Sequence, residues 1–385
     1  MYTRPLNLAM PVAPLKLIAL DSSKELGDLV NEHLVASRKE QLNDVHTDLS
    51  ILGYDADSYL VQAECPRFGS GEAKAVIKNS IRGTDLFILL DTVNPTISYT
   101  MNQETNRKSP DDHFQDVKRI IQACRGQTHR INVIMPFLYE SRQHRRSKLE
   151  SLDCALALQE LVAMGVDNII TFDAHDPRVQ NAIPIQGFDN FYTSFQFIRA
   201  LIESEPSIQI DSEHMMVISP DEGGMTRSVY YAGVLGVDMG MFYKRRDYSV
   251  IVNGKNPIVA HEYLGNSVEG KAVFIVDDMI ASGESMLDVA KELKKRKARK
   301  VYIAATYGLF TEGLSKFDAC YEEGLIDRIF TTNLSYCSKE LLEKPYYTCV
   351  DLSKYIALII DTLNNDTSVN EILNPLDKIQ ELLNR

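Results

Sequence analysis

Short, continuous apolar runs alternate with helix-period segments from residue 15 to about residue 308, and this alternation constrains the fold more than any other feature. "LKLIAL" (15–20), "DLFILLD" (85–91), "INVIMPF" (131–137) and "NIITFD" (168–173) fall in the first half. "MMVISPD" (215–221), "MGMFYKR" (239–245), "KAVFIVDD" (271–278) and "KVYIAATYG" (300–308) fall in the second. Each has strand length, and each is apolar on both faces rather than on alternate residues. Strands of that kind are buried on both sides, as in a parallel sheet covered by helices. The helices between them carry end signals. "SLDCALALQELVAMG" has Ser151 as its N-cap and Gly165 as its stop, and "SMLDVAKELKKRKA" runs from Ser285 into a basic last turn that suits the helix dipole. The pattern predicts an α/β fold with mainly parallel sheets flanked by helices.

Two such blocks meet near "IQGFDNFYTS" (185–194), and 385 residues exceed one ordinary core. The expected division is an N-terminal domain over 1–187, a C-terminal domain over 188–350 and a closing segment over 351–385. "MNQETNRKSPDDH" (101–113) reads as a long surface loop. An apolar fraction of 44% with 24% charged residues is that of a globular chain. No run of eighteen apolar residues occurs, so no membrane span is expected. The proline-broken N-terminus "MYTRPLNLAMPVAPLKLIAL" does not have the form of a signal peptide. Six cysteines without a CxxC pair suggest reduced thiols and a cytoplasmic location. A formal charge of −12 argues against nucleic acid as a partner. Small anionic ligands stay open, because "SRQHRRSK" (141–148) and "KRR" (244–246) are local basic clusters.

Ligands of open parallel sheets bind beyond the carboxyl ends of the strands. Five such ends are polar here. In "KAVFIVDDMIASGESM" (271–286), Asp277 and Asp278 close an apolar strand, and Ala281-Ser282-Gly283-Glu284-Ser285 opens a helix. Backbone N–H groups, two hydroxyls and a helix N-terminus make an anion cradle. The carboxylates would repel that anion, so they suit neutral hydroxyls or a metal, and a phosphate beside a diol is a sugar phosphate. A capped helix with solvated acids accounts for the same residues. In "MMVISPDEGGMTRS", Asp221 follows a strand, Gly223 and Gly224 admit close backbone approach, and Thr226 and Arg227 suit phosphate; a plain turn is the alternative. Asp173, His175 and Asp176 of "NIITFDAHDPRV" suit a divalent metal or a metal-bound phosphate, or else a structural turn. Arg142, Gln143, Arg145 and Arg146 of "MPFLYESRQHRRSK" match phosphate geometry or form a solvated face. Lys244, Arg245 and Arg246 of "FYKRRDYSVIVNG" precede a long segment able to close over a polyphosphate, unless they are a basic turn.

Taken together, these segments resemble the ribose-phosphate diphosphokinase (phosphoribosyl pyrophosphate synthetase) family, which has the type I phosphoribosyltransferase fold. "RFGSGEAKAVIKNSIRGTDLFIL" is similar to its first ATP segment, "SRQHRR" to its Arg-Gln nucleotide motif and "FDAHDPRVQ" to its Asp-x-His turn. "SPDEGGMTR", "YKRR" and the strand–Asp-Asp–turn of 271–286 follow in the family's order, so the resemblance spans roughly residues 15 to 360. It implies two phosphoribosyltransferase-like domains, with the closing segment returning to the first. It further implies transfer of the diphosphoryl group of Mg·ATP to the anomeric hydroxyl of ribose 5-phosphate, giving AMP and 5-phosphoribosyl 1-diphosphate. Carried over by position, Phe68, Glu72, Arg142, Gln143 and His175 contact ATP, and His175 and Asp221 help hold Mg²⁺. Asp221, Asp277, Asp278, Ser282, Gly283 and Ser285 bind ribose 5-phosphate, and Lys244 and Arg246 are the catalytic cations. The resemblance also implies a homo-oligomer built from dimers, up to a hexamer, in which a neighbour completes the ATP site near Phe68 to Glu72.

The chain departs from the family pattern at Ser70, Ala281 and Glu284. Ser70 replaces an acid of the nucleotide segment, Ala281 removes a carboxylate near the sugar, and Glu284 adds one near the phosphate turn. The segments at 40–60 and 101–113 and the longer tail make the chain larger than compact members of the family, which argues against control by phosphate or ADP, although Arg82 lies where a family regulatory contact could be. Two other readings stand beside the synthetase: a non-catalytic nucleotide-binding regulatory paralogue, and a diphosphokinase for another ribose 5-phosphate derivative. A phosphoribosyltransferase that consumes the diphosphate fits less well, because the segments around Phe68 and Arg142 are ATP segments.

Overall fold

The structure is a computed structural model that describes residues 10–44, 53–124, 126–246 and 258–384, with backbone alone at 43–44, 244–246 and 258–261. The chain divides into two compact units, each with its own sheet. Unit 1 takes the chain up to Tyr192 together with Asn333–Tyr336 and Asp351–Asn374. Unit 2 takes Thr193–Thr332, Cys337–Val350 and the chain from Pro375.

The unit 1 sheet is wholly parallel, in the spatial order β1 (Leu15–Ala19), β2 (Asp85–Leu89), β3 (Arg130–Ile134), β4 (Asn168–Phe172), β5 (Gly187–Phe191). A parallel bridge from Leu17 to Leu60 places the segment 59–61 on the far side of β1, with the Leu17 N–H donating to the Tyr59 carbonyl. The chain therefore leaves β1 in one direction and returns to its other side at β2, so a topological switch lies between these two strands. Helix α1 (Lys24–Asp44) makes the first crossing. Helices α2 (Pro110–Cys124) and α3 (Asp153–Ala163) cover one face, where Phe114, Val117, Ile121, Leu158 and Leu161 join Ile88, Val133 and Ile169 in a core.

The unit 2 sheet repeats that order. β6 (Met215–Ser219) lies between β7 (Asp238–Arg246) and β9 (Ala272–Ile280), followed by β10 (Lys300–Gly308), β11 (Arg328–Thr332) and β12 (Tyr347–Val350). All neighbours are parallel except β8 (Ile258–Leu264), which runs antiparallel along the outer edge of β7. α6 (Glu284–Lys295) and α7 (Ser315–Glu322) pack one face through Met286, Val289, Leu293 and Phe317. α5 (Met225–Leu235) follows β6 and packs on it, with the Tyr231 ring edge-on to Phe274.

Four expectations change. Residues 101–113 are not a loop: Ser98–Met101 and Glu104–Arg107 form a hairpin, and α2 begins at Pro110. Asn102 and Gln103 both take positive φ, as a tight two-residue hairpin turn requires, and Ser109 and Asp112 exchange backbone-to-side-chain hydrogen bonds of 3.2 and 3.0 Å as a helix cap. Ser151 does not cap α3; its hydroxyl donates to Asp153 at 2.5 Å and the helix starts two residues later. The closing segment is shared between the units. α8 (Ser353–Asn364) packs on α1, while α9 (Leu376–Leu383), beyond Pro375, buries Ile379 and packs on α5 and on α4 (Ser194–Ser204). The first unit also extends past residue 187, because β5 is the edge strand of its sheet.

Candidate active site

In unit 2, β6 and β9 pair only as far as Ile218 opposite Ile275. Beyond this point β6 turns off through Pro220, whereas β9 continues along β10 to Ile280 opposite Gly308. Asp277 and Asp278 are thus held inside a strand, not past its end, and beyond Ile275 that strand no longer pairs with β6. Asp221 closes the turn after β6. One of its carboxylate oxygens accepts the N–H of Gly223 (3.0 Å) and of Gly224 (3.3 Å), and the Ser219 hydroxyl donates to its carbonyl (2.7 Å). Gly224 runs so near that a Cβ there would stand 3.0 Å from Ser219 Oγ and 3.6 Å from Asp277 Oδ1.

Asp277 accepts the Asp278 N–H at 2.9 Å, and Arg227 Nη1 stands 3.4 Å from the same oxygen. Burial, with Asp278 and Asp221 close by, pushes its carboxyl well above the usual range, against the pull of Arg227. Arg227, which the sequence offers to a phosphate, is turned toward this acid. A carboxyl poised in this way suits neutral hydroxyl partners better than an anion.

The turn after β9 is shaped by Gly283, buried at φ +82°, where any Cβ would overlap the Phe317 ring. α6 opens at Glu284, and Ser282 and Ser285 flank the turn, both half-buried. The Glu284 side chain is exposed and bound to Lys316 (2.6 Å), which also holds Glu312 (2.7 Å); Lys316 keeps the Glu284 carboxyl below its ordinary range. The added acid is thereby committed to α7. Asp221, Asp277, Asp278, Ser282, Gly283 and Ser285 therefore gather around one switch point. Lys244 and Arg246 lie in the β7–β8 ribbon, paired with His261 and Ile258, and their side chains are outside the described residues.

In unit 1, Phe68 to Glu72 make a tight turn in which the Phe68 N–H donates to the Glu72 carbonyl (2.7 Å). Phe68 is 52% exposed at its tip, so a planar ligand has access to the ring. Ser70, in the place of the family's acid, donates its hydroxyl to the Glu72 carboxylate (2.8 Å). Arg142 is exposed. The Gln143 amide donates to the Ser151 carbonyl (2.7 Å), which ties it to its own loop. His175 is exposed, with its ring 5.4 Å from that of His144. Asp176 caps the short 3-10 turn that follows it. It receives the Arg178 N–H and the Arg178 fork, and Arg178 holds its carboxyl at about 2.

His144 was missed at the sequence level. Its Nε2 is 3.4 Å from Asp176, and its buried Nδ1 has no hydrogen-bond partner among the described residues. Its place between the arginines of "SRQHRR" made it read as part of a charge run. Among the described residues no three His, Cys, Asp or Glu side chains gather as a metal cluster. Nor is any helix among them long and apolar enough to cross a membrane.

A family model described as the N-terminal domain of ribose phosphate pyrophosphokinase matches residues 15–165, and one described as the phosphoribosyl transferase domain matches residues 192–319. A protein named ribose-phosphate pyrophosphokinase from Vibrio parahaemolyticus is 28% identical over 319 residues, covering 82% of this chain and 92% of its own. One of the same name from Chlorobaculum tepidum is 28% identical over 284 residues, covering 73% and 79%. The crystal structure of phosphoribosylpyrophosphate synthetase from Mycobacterium smegmatis aligns with a TM-score of 0.73 at 21% identity, over 92% of this chain and 99% of that one, which shows a shared fold. With both domain models matched in chain order and the relatives aligned over most of their length, the chain belongs to the ribose-phosphate pyrophosphokinase family.

Proposed function

We propose that the protein transfers the diphosphoryl group of Mg·ATP to ribose 5-phosphate. A bond forms between the anomeric oxygen and the β-phosphorus, the bond from the β-phosphorus to the α–β bridging oxygen breaks, AMP leaves with that oxygen, and the hydroxyl proton is released to solvent. The observation that carries this reading is the switch point of unit 2. There Asp277, whose carboxyl burial and Asp278 raise above the usual range, stands with Asp278 near a backbone turn at a helix N-terminus. Asp277 and Asp278 hold the ribose hydroxyls, and Ser282, Gly283 and Ser285 hold the 5-phosphate. Phe68 and Arg142 take the adenine, with Glu72, Gln143 and His175 as further nucleotide contacts. Lys244 and Arg246 neutralise charge on the transferring group, in a reaction that needs positioning and electrostatics more than a nucleophilic side chain.

Mg²⁺ arrives on the triphosphate. The donors suit this role, since a magnesium ion bound through substrate phosphates keeps most of its waters and needs one or two protein groups, here His175 and Asp221. The exposed Phe68 also fits a homo-oligomer of dimers in which a neighbour closes the adenine site.

The test is incubation of the purified protein with Mg·ATP and ribose 5-phosphate, following AMP and the diphosphorylated sugar. Sugar-dependent AMP formation is the expected result. Tight nucleotide binding without turnover would replace this reading with a regulatory role. Turnover only with another ribose 5-phosphate derivative would move the assignment to that substrate.

A further inference from the structure

The base of the Phe68 turn runs into a buried cluster of charges. Asp116, on α2 and 3% exposed, accepts two hydrogen bonds from the Arg67 guanidinium (2.7 and 3.0 Å), one from Lys108 Nζ (2.9 Å) and one from Arg119 (2.8 Å). Asp112 stands 3.7 Å from Arg67, and Asp21 stands 3.8 Å from Lys108. Three cations thus face three carboxylates. Burial pushes the Asp116 carboxyl up, but Arg67 and Lys108 outweigh it and hold it below the usual range. A buried ion cluster adds little net stability over a packed apolar one; its distinctive effect is to impose one arrangement on the groups it joins.

The groups joined here are informative. Arg67 directly precedes Phe68. Its guanidinium also donates to the Cys65 carbonyl (3.3 Å) and lies over the Tyr99 ring, 5.3 Å from its centre. Tyr99 belongs to the Ser98–Arg107 hairpin, and Lys108 is the residue that follows it. The two turns meet again at Gly71, where a Cβ would come within 2.6 Å of Met101 Sδ. One carboxylate therefore fixes the bases of two neighbouring turns, one of which carries Phe68 and Glu72 on an otherwise exposed tip.

We propose that Asp116 is a positioning residue for nucleotide binding: through Arg67 and Lys108 it sets where Phe68 and Glu72 stand. Asp116 is too deeply buried to meet the ligand itself. The proposal rests on Phe68 and Glu72 being nucleotide contacts, and its test separates the two claims. Asp116→Asn, Arg67→Lys and Phe68→Ala are made in the full chain, and KM for each substrate, kcat and Tm are measured. Asp116→Asn keeps the shape and loses the charge, and Arg67→Lys keeps the charge and loses the fork.

Each of these two variants is expected to raise KM for ATP by about tenfold or more, with kcat within about threefold and KM for ribose 5-phosphate within about twofold. Asp116→Glu, which restores the charge, should recover part of the loss. If Asp116→Asn does not fold, Arg67→Lys decides. An ATP KM raised by Phe68→Ala but unchanged in Asp116→Asn and Arg67→Lys overturns the positioning role alone. Parallel loss of both KM values and kcat would mark a merely structural residue and also overturn it. An ATP KM unmoved by Phe68→Ala removes the nucleotide assignment, and the positioning role with it.

Discussion

The two units lay their strands in the same spatial order and treat the switch point in opposite ways. β1 and β6 each end on the fifth residue of a five-residue strand, Ala19 and Ser219, and each is followed two residues later by an aspartate, Asp21 and Asp221. On the neighbouring strand, Leu90 and Asp91 in unit 1 occupy the places of Asp277 and Asp278 in unit 2, counted from the paired residues Ile18–Ile88 and Ile218–Ile275. Unit 1 has plugged the position. Leu90 is fully buried, and Asn94 Nδ2 donates to the Ser22 carbonyl (2.8 Å). Asp91 accepts the N–H groups of Val93 (2.9 Å) and Tyr336 (3.0 Å). Unit 2 keeps Gly223 and Gly224 where unit 1 has Ser23 and Lys24, and Asp277, in the place of the fully buried Leu90, is only half-buried, although Asp278 is as buried as Asp91. Topology supplies the place; residue size and charge decide whether that place is a site or a seal.

The contrast can be broken by mutation. Asp277→Ala should lower kcat/KM for ribose 5-phosphate about 100-fold, the equivalent of roughly two charge-assisted hydrogen bonds, and leave KM for ATP within about threefold. The urea midpoint should hold or rise, because burial and Asp278 disfavour the Asp277 carboxylate in the folded state. Equal losses for both substrates in initial-rate assays would erase the distinction between the units.

Gly283→Ala should cost about 3 kcal/mol, from its left-handed backbone together with overlap on Phe317. Gly165→Ala, also left-handed but in open space, should cost about 1 kcal/mol. Similar urea midpoints for the two variants would show that the cradle is not shaped by that ring.

The smallest effect concerns the seal. Burial raises the Asp91 carboxyl to about 7, against three backbone N–H groups that lower it. Between the unfolded and folded values the native state holds the extra proton, so stability falls as pH rises through this window and levels off above about 7. The expected change is about 1 kcal/mol between pH 6 and 8, absent in Asp91→Asn. A urea midpoint of the native chain that does not fall over this interval contradicts the buried, proton-holding role.

What the sequence made legible follows from burial. Central strands apolar on both faces announce themselves, and the acids and glycines of 271–286 stand out because they interrupt such a strand. β5 is half-buried over most of its length, and "RIFTT" and "YTCV" of β11 and β12 mix polar residues into short runs, so these strands carry no comparable signal. The hairpin at 98–107 was hidden by its polarity, although Ser109-Pro110 with Asp112 is a readable helix start. The partnership of Arg67 with Asp116 spans 49 residues and has no local pattern at all. It exists only once α2 is laid beside the turn.

The way the chain passes between units after residues 192, 332, 336, 350 and 374 has a consequence for biosynthesis. Arg38 of α1, buried between the rings of Tyr54 and Tyr59, donates to Asp361 (2.8 Å) and Asn364 (2.7 Å) of α8; Asn364 in turn donates to Asp85 of β2 (2.9 Å). A ribosome that has finished β5 still has more than a hundred and fifty residues to make before those partners emerge, roughly 10–35 s at ordinary elongation rates. Through that interval the nascent first unit carries a buried-type arginine and an uncovered helix face. Folding of this enzyme is therefore expected to finish after release rather than domain by domain, and neither half can be excised as one continuous piece of chain.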